Sequence, residues 1–480
     1  MDFDCAPHQR LNRRTFLGRT SLGLGALTLS SLLSRDAHAS AGAGLPAGIP
    51  GLPHFPAKAK RVIFLYMSGG PSHLETFDYK PKLIEMDRRP MPESFTRGQP
   101  IAQLQGQELK CMGAQFRFAR HGRSGQEISE MLPHISRIAD DICIIRSMHT
   151  DQINHDPAHT VMNTGTSLSG RPSMGSWITW GLGSECDNLP GFVVLTSFGG
   201  RSPQPIATRQ WSAGNLPGRY QGILFNSTGD AVHYLSNPPG VGAAQQRQVI
   251  DAVRDLNQIR NSADVNPEID TRIAQYEMAF RMQMSVPELM DIGNEPQHVK
   301  KLYGVSGADG SFAYNCLLAR RLAERGVRFI QLYHRDWDHH DNLTGYMRIC
   351  CNLCDGPSAA LVTDLKQRGL LDDTLIIWGG EFGRTPMVQY KGGPNPGRDH
   401  HIKGFSMWLA GAGIQGGITH GATDELGYNA VEDRVHVRDL HATILHQLGI
   451  DHTRLVYRHQ GLDLRLTGVE EAHVVERILS

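Results

Sequence analysis

Imidazole and carboxylate side chains gather at a few places in this chain. One stretch reads Asp336-Trp337-Asp338-His339-His340, a second Asp399-His400-His401, a third His155-Asp156-Pro157-Ala158-His159, and Glu381 stands just before Phe382-Gly383-Arg384. Imidazole nitrogen and carboxylate oxygen together suit a divalent cation such as zinc or calcium, and a site with an open position would let that ion act on a substrate. A lone Asp or His is usually only solvated, so the signal is collective, and an ordinary polar hydrogen-bond network is its alternative. Cys350, Cys351 and Cys354 form another cluster, with the residue types to hold zinc. No fourth cysteine or histidine follows at finger spacing, which favours a buried helix face or one local disulfide. A redox role for this trio has nothing else in the sequence to support it.

Side chains so far apart need a scaffold that brings them together. Residues 61–67, 142–146, 192–196, 327–333, 374–378 and 405–410 are short apolar runs, as expected of parallel strands covered on both faces by helices. Helical stretches at 311–324 and 358–368 directly precede two of them, and helix-then-strand order implies an α/β fold with a doubly wound, mostly parallel sheet. In such sheets ligands bind beyond the carboxyl ends of strands. The polar groups above follow the apolar runs, and Ser68, His73, Asp78 and His149 join them there. Residues 199–240, rich in Gly, Pro, Ser and Asn, and the polar amphipathic stretches 245–261 and 269–284 read as an inserted cap over about 199–300. A short helix at 438–445 closes the chain, and the tail after 457 is expected to add a last strand or edge.

The amino terminus reads as an export leader. Arg10, Arg13 and Arg14 precede a weakly apolar stretch, 22–33, and the small-residue sequence Ala37-His38-Ala39. Asn12-Arg13-Arg14-Thr15-Phe16-Leu17 matches the twin-arginine pattern, a route for proteins that fold before crossing. The expected layout is a signal over 1–39, a Gly/Pro/Ala-rich linker over 40–56 and one domain over 57–480. Export to the periplasm or beyond follows, with no transmembrane anchor after cleavage. Acidic and basic side chains balance at 48 each, with no Lys/Arg block, so there is no footprint for nucleic acid. The expected partner is a small molecule or a neutral polymer.

The run Arg61 to Asp78, with Trp337-Asp338-His339-His340, Gly380-Glu381-Phe382-Gly383-Arg384-Thr385-Pro386 and Gly397-Arg398-Asp399-His400, resembles the DUF1501 family. That family of exported bacterial proteins, abundant in planctomycetes, belongs with the alkaline phosphatase and sulfatase superfamily, and the resemblance covers the whole chain after the leader. It implies a fold of that type and a metal set of Asp338, His340 and His400, with Glu381 as a bridge to a second ion. The segment around Glu381 resembles the sulfatase strand ending in Ser-Asp-His-Gly, with Phe382 in place of a metal-binding His. The stretch from His155 to Gly165 is similar to the sulfatase signature, with His155 at the nucleophile position and His159 replacing the supporting arginine. Met67 and Ser68 stand where the first strand normally offers aspartates.

No Cys or Ser nucleophile stands at the matching position. The resemblance leaves direct hydrolysis by water, with His155 or Asp399 as base, and Arg384 and Arg398 as holders of a sulfate or phosphate; an alternative pairs both arginines with Asp336 or Asp399. Two functions are therefore expected to compete. One is a metal-dependent hydrolase of sulfate or phosphate esters acting on a small molecule or extracellular polysaccharide. The other is a binding or surface-assembly protein that kept the fold and lost turnover.

Overall fold

The computed structural model describes residues 48–200, 206–232, 240–263, 267–391 and 393–480. The leader expected at 1–39 and the first part of the linker lie outside them, as do parts of the expected cap.

The chain builds one nine-stranded sheet. Its strands are β1 (Arg61–Met67), β2 (Ile142–His149), β3 (Phe192–Thr196), β4 (Ile223–Phe225), β5 (Phe329–His334), β6 (Thr374–Gly379), β7 (Phe405–Ala410), β8 (Ile418–His420) and β9 (Val435–His436). They lie in the order β8-β2-β7-β6-β1-β5-β3-β4, with β9 also on β2. The longer helices are α1 (His155–Thr164), α2 (Met174–Leu182), α3 (Ala243–Ala263), α4 (Pro267–Met290), α5 (Phe312–Glu324), α6 (Leu343–Gln367) and α7 (Val437–Gln447).

β1 is buried at every position, because it lies mid-sheet with a helical layer on each face. Its side chains alternate. Ile63, Leu65 and Met67 enter one core with Leu317 of α5 and Leu361 of α6. Val62, Phe64 and Tyr66 enter the other with Val161, Trp177, Leu440 and Ile444 of α1, α2 and α7. A central strand buried on both faces therefore reads as a continuous apolar run, and the doubly wound expectation holds.

Every pairing in the sheet is parallel except those of β7, which runs antiparallel to both β2 and β6. This corrects the expectation of a parallel strand at 405–410. Among the described residues no helix lies between Gly379 and Phe405, and without a crossover the chain stays at the carboxyl rim and returns in the opposite direction. The returning link carries a two-residue antiparallel ribbon, Gly383–Arg384 with His400–His401. The start of β7 thus lies at the same rim as the ends of β1, β5 and β6, which are level with one another: Met67 pairs with His334, and Tyr66 with Gly379.

The segment expected to form a cap is more composite. β4, inside it, extends the sheet beside β3. Met282, Val286 and Leu289 of α4 join the core on the α5 and α6 face, and Arg247 of α3 meets Glu277 of α4 at 3.0 Å. Among the described residues the tail strands 457–459 and 462–464 pair only with each other. Cys350, Cys351 and Cys354 are reduced thiols buried on α6, the helix-face alternative, and burial pushes the Cys351 and Cys354 thiols up, which keeps them protonated and inert. No helix among the described residues is long and apolar enough to cross a membrane.

Candidate metal centre

Four rim segments converge. Asp338 and His340 come from the turn after β5, Glu381 from the turn after β6, His400 from the ribbon before β7, and His155 from the first turn of α1. The proximity of β1 and the turn after β5 depends on Gly69, whose φ of +120° and whose lack of a side chain let the backbones touch. A Cβ there would lie 2.6 Å from the Asp338 amide nitrogen. The same glycine donates its N–H to both oxygens of Glu381, at 3.0 and 3.2 Å. α1 starts after Asn154 in extended backbone, and His155 and His159 fall one turn apart on one face.

The liganding atoms are close and consistently prepared. His340 Nε2 lies 2.9 Å from His400 Nε2 and 2.9 Å from Asp338 Oδ1. His400 Nε2 is 3.2 Å from the same oxygen, and His155 Nε2 is 3.2 Å from Asp338 Oδ2 without hydrogen-bond geometry. In each ring the other nitrogen faces an acceptor. His155 Nδ1 donates to Glu381 Oε1 at 2.7 Å, His340 Nδ1 to Gln389 Oε1 at 2.6 Å, and His400 Nδ1 to the Ile153 carbonyl at 2.9 Å. A ring that carries its proton on Nδ1 presents a lone pair at Nε2. Three such lone pairs and a carboxylate, pointed at one another, repel unless a proton or a cation lies among them; Gln103 Nε2, 3.1 Å from His340 Nε2, offers a donor to one. Ligands about 2.0–2.1 Å from a tetrahedral ion stand roughly 3.3 Å apart, close to the spacing here. His155, Asp338, His340 and His400 thus form a set able to hold a cation, and His155, His159 and Glu381 form a second, smaller one.

Charge favours the same conclusion. Two carboxylates, Asp338 and Glu381, face one guanidinium, Arg384, whose terminal nitrogen is 2.6 Å from Asp338 Oδ1. Burial pushes Asp338 toward its neutral form, yet Arg384 and the surrounding imidazoles outweigh it and hold the carboxyl far below its usual range. Glu381 is also lowered, the charges and hydrogen bond of His159 and His155 outweighing burial. Burial lowers His155, but Asp338 and Glu381 more than offset it and raise the pKa. Burial brings His400 and His159 down to about 4. The unbalanced carboxylate draws positive charge to His155.

Other expected site residues are placed differently. His159 is fully buried, with Nδ1 2.7 Å from the Tyr66 hydroxyl and Nε2 3.3 Å from Ser68 Oγ, so it forms the floor beneath His155. Asp399 stands behind the cluster, its Oδ1 4.0 Å from His340 Nδ1, and its oxygens accept from the amides of Gln103, Leu104 and His400. Arg398 is consumed by Glu75 at 2.7 Å and by the carbonyls of Met112, Thr385 and Gly113. Arg384 touches the cluster, but the carbonyls of Gly69, Gly70 and Arg398 take its other donors. Arg398 has every donor engaged and both guanidiniums are buried, and their carboxylate partners are Glu75 and Asp338 rather than Asp336 or Asp399. Phe382 packs 5.0 Å from His155 and 4.7 Å from His400 and, with Ala158 and Ile402, makes an apolar wall. The orienting amides Gln389 and Gln103 had no signal in the sequence, since neutral amides in loops are common and rarely functional.

These features define an α/β protein with a mostly parallel sheet and a His/Asp/Glu cluster at its carboxyl rim. The chain belongs to the DUF1501 family, whose model, described as a protein of unknown function, matches residues 59–479. No curated protein matches it in sequence. Among solved structures it is similar to a protein in the alkaline phosphatase superfamily from Vibrio parahaemolyticus, with 11% identity, 89% of this chain and 75% of that one covered, and a TM-score of 0.35. It is also similar to the lipoteichoic acid synthase from Listeria monocytogenes, with 10% identity, 92% and 80% covered, and a TM-score of 0.34. A sulfatase from Pseudoalteromonas sp. matches with 14% identity, 66% and 62% covered, and a TM-score of 0.30. Likeness this distant leaves the chemistry to be argued from the side chains.

Proposed function

We propose that this is an exported metal-dependent hydrolase of sulfate or phosphate esters, with polysaccharide esters outside the cytoplasm as its natural substrates. The observation that carries the reading is the convergence of three imidazole Nε2 atoms and the Asp338 carboxylate, each ring held by an acceptor on its Nδ1. Outer partners of this kind fix the tautomer and orientation of metal ligands. Three nitrogens and one carboxylate suit zinc or a similar borderline ion better than calcium, which prefers six to eight oxygens. Such an ion supplies Lewis acidity to an ester oxygen and its leaving group.

In this reading His155 is a ligand and Glu381 its orienting partner, a reversal of the roles expected from the motif alone. Asp338, the most exposed of the four ligands at 21%, borders the reacting ester. Phe382, with Ala158 and Ile402, keeps water away from the back of the cluster. With His155 at the nucleophile's place, that place offers no serine or cysteine for a covalent intermediate, and water attacks the ester directly as the bond to the leaving oxygen breaks and that oxygen takes up a proton.

Export by the twin-arginine route fits this account, because it lets the site fold and load its metal before the protein crosses. A second reading, a binding protein without turnover, is favoured by the missing nucleophile and by the Phe382 wall. Assay of the purified protein against aryl sulfates and aryl phosphates separates the two. The hydrolase reading expects turnover that a chelator abolishes and that His340→Ala lacks. A protein that holds metal but cleaves no ester supports the binding reading, and turnover indifferent to both treatments refutes the proposal.

A further inference from the structure

Arg384 and Arg398 are buried and bonded to carboxylates and carbonyls inside the protein, so a guanidinium that meets a substrate oxyanion from the solvent side stands elsewhere. A different guanidinium stands at the first turn of α1. Arg209 lies in the short 3-10 turn Thr208–Trp211 and pairs with Asp156, the residue that follows His155. Both side chains are partly in solvent, 39% exposed for Arg209 and 54% for Asp156. That carboxylate is the only hydrogen-bond partner of the Arg209 side chain among the described residues, engaged through one terminal nitrogen. The remaining donors of the planar fork are available to a ligand.

The turn that carries Arg209 is firmly seated although it is remote in sequence from every ligand. Gln210 is fully buried, and its Oε1 accepts the Ala207 amide at 3.3 Å. Trp211 packs on Tyr333 with ring centroids 5.7 Å apart, and Tyr333 on Tyr66 at 5.0 Å; Tyr66 in turn bonds His159 on α1. Arg209 is therefore held in a set relation to the helix that begins with His155. Solvent-exposed ion pairs contribute little and exchange partners readily, so Asp156 occupies the fork only until a stronger oxyanion arrives.

We infer that Arg209 recognises the charged group of the substrate, a sulfate or phosphate monoester, with Asp156 as the internal carboxylate that this oxyanion displaces. The inference rests on the metal-hydrolase reading and adds to it the partner of the anion. A guanidinium fork matches a tetrahedral oxyanion in shape as well as charge.

The test is equilibrium binding of inorganic phosphate and sulfate to the metal-loaded full chain, with metal content measured on the same samples. Arg209→Gln should keep its metal and bind both anions about tenfold more weakly or worse, the loss of one charge-assisted contact. Arg209→Lys should recover part of that loss, and Asp156→Asn should bind the anions more tightly than the unaltered protein because the competing carboxylate is gone. Unchanged anion affinity in a metal-loaded Arg209→Gln protein overturns the inference and leaves the metal centre intact, as does an unaltered protein that binds neither anion. Arg209-dependent anion binding to a protein that holds no metal supports the arginine's role and overturns the metal reading instead.

Discussion

His155, His340 and His400 share one design: Nδ1 is tied to an acceptor and Nε2 is turned toward Asp338. Glu381→Gln keeps the shape of the tie to His155 but weakens it and removes a buried charge. Affinity for the metal should fall about 10–100-fold, the usual penalty for losing an outer-shell carboxylate, as read by competition with a chelating dye; an unchanged affinity would mean that Glu381 does not orient the ring. The raised pKa of His155 has its own signature. Asp338 and Glu381 favour the protonated imidazole in the metal-free protein, so metal binding should release a proton, and the observed heat should change with the ionisation enthalpy of the buffer. Heats that are the same in every buffer would contradict it. Residue type after apolar runs made the stretches holding Asp338, His340, His400, Glu381 and His155 visible in the sequence, and the family resemblance singled out Asp338, His340, His400 and Glu381 within them. Asp399 has the same type and Arg398 is its polar neighbour, yet Asp399 accepts from three backbone amides and Arg398 is held by Glu75 and three backbone carbonyls. Whether a polar side chain turns inward to its own backbone is decided by the three-dimensional path of the loop, which no residue type records.

Among the elements, α1 matters most to the site, for it delivers His155 and is fixed at both ends. Its carboxyl end closes on Gly165, in the left-handed conformation with φ +77°, where a Cβ would lie 1.7 Å from the Leu466 carbonyl oxygen. Gly165→Ala should therefore lower the melting temperature by several degrees, with a loss of about 1–3 kcal/mol or more, and a variant as stable as the original would show that this packing is not rigid. The last turn is also held by His441, whose Nε2 donates to the Met162 carbonyl at 2.8 Å. Burial brings His441 down to about 4, and burial helped by His436 does the same to His149. Both rings fold neutral and would take up protons when unfolded at about 6.5. Their contribution to stability is complete above that value and is lost as pH falls toward 4. Denaturant titrations of the metal-free protein should show this decline, and His441→Gln should make it shallower; equal slopes in the two proteins would rule His441 out as a source. The strands were legible because central parallel strands are apolar on both faces. The direction of β7 was not, since an apolar run reads the same both ways and the absence of a crossover helix after Gly379 is what decides it. β4 was hidden because three residues among Gly, Pro and Ser carry no period.

Over the whole molecule, the sheet turns distance in sequence into proximity. His155 and His400 are separated by most of the domain, and their ring centroids lie 4.3 Å apart. The account stands or falls on a cation binding where they meet, and elemental analysis of the purified, folded protein tests this most directly. It predicts about one zinc-like ion per chain, retained through gel filtration, removed by chelator with a fall in melting temperature, and absent from a folded His340→Ala protein. A folded chain that carries no metal after incubation with zinc, manganese or calcium, and whose melting temperature ignores all three, would contradict it.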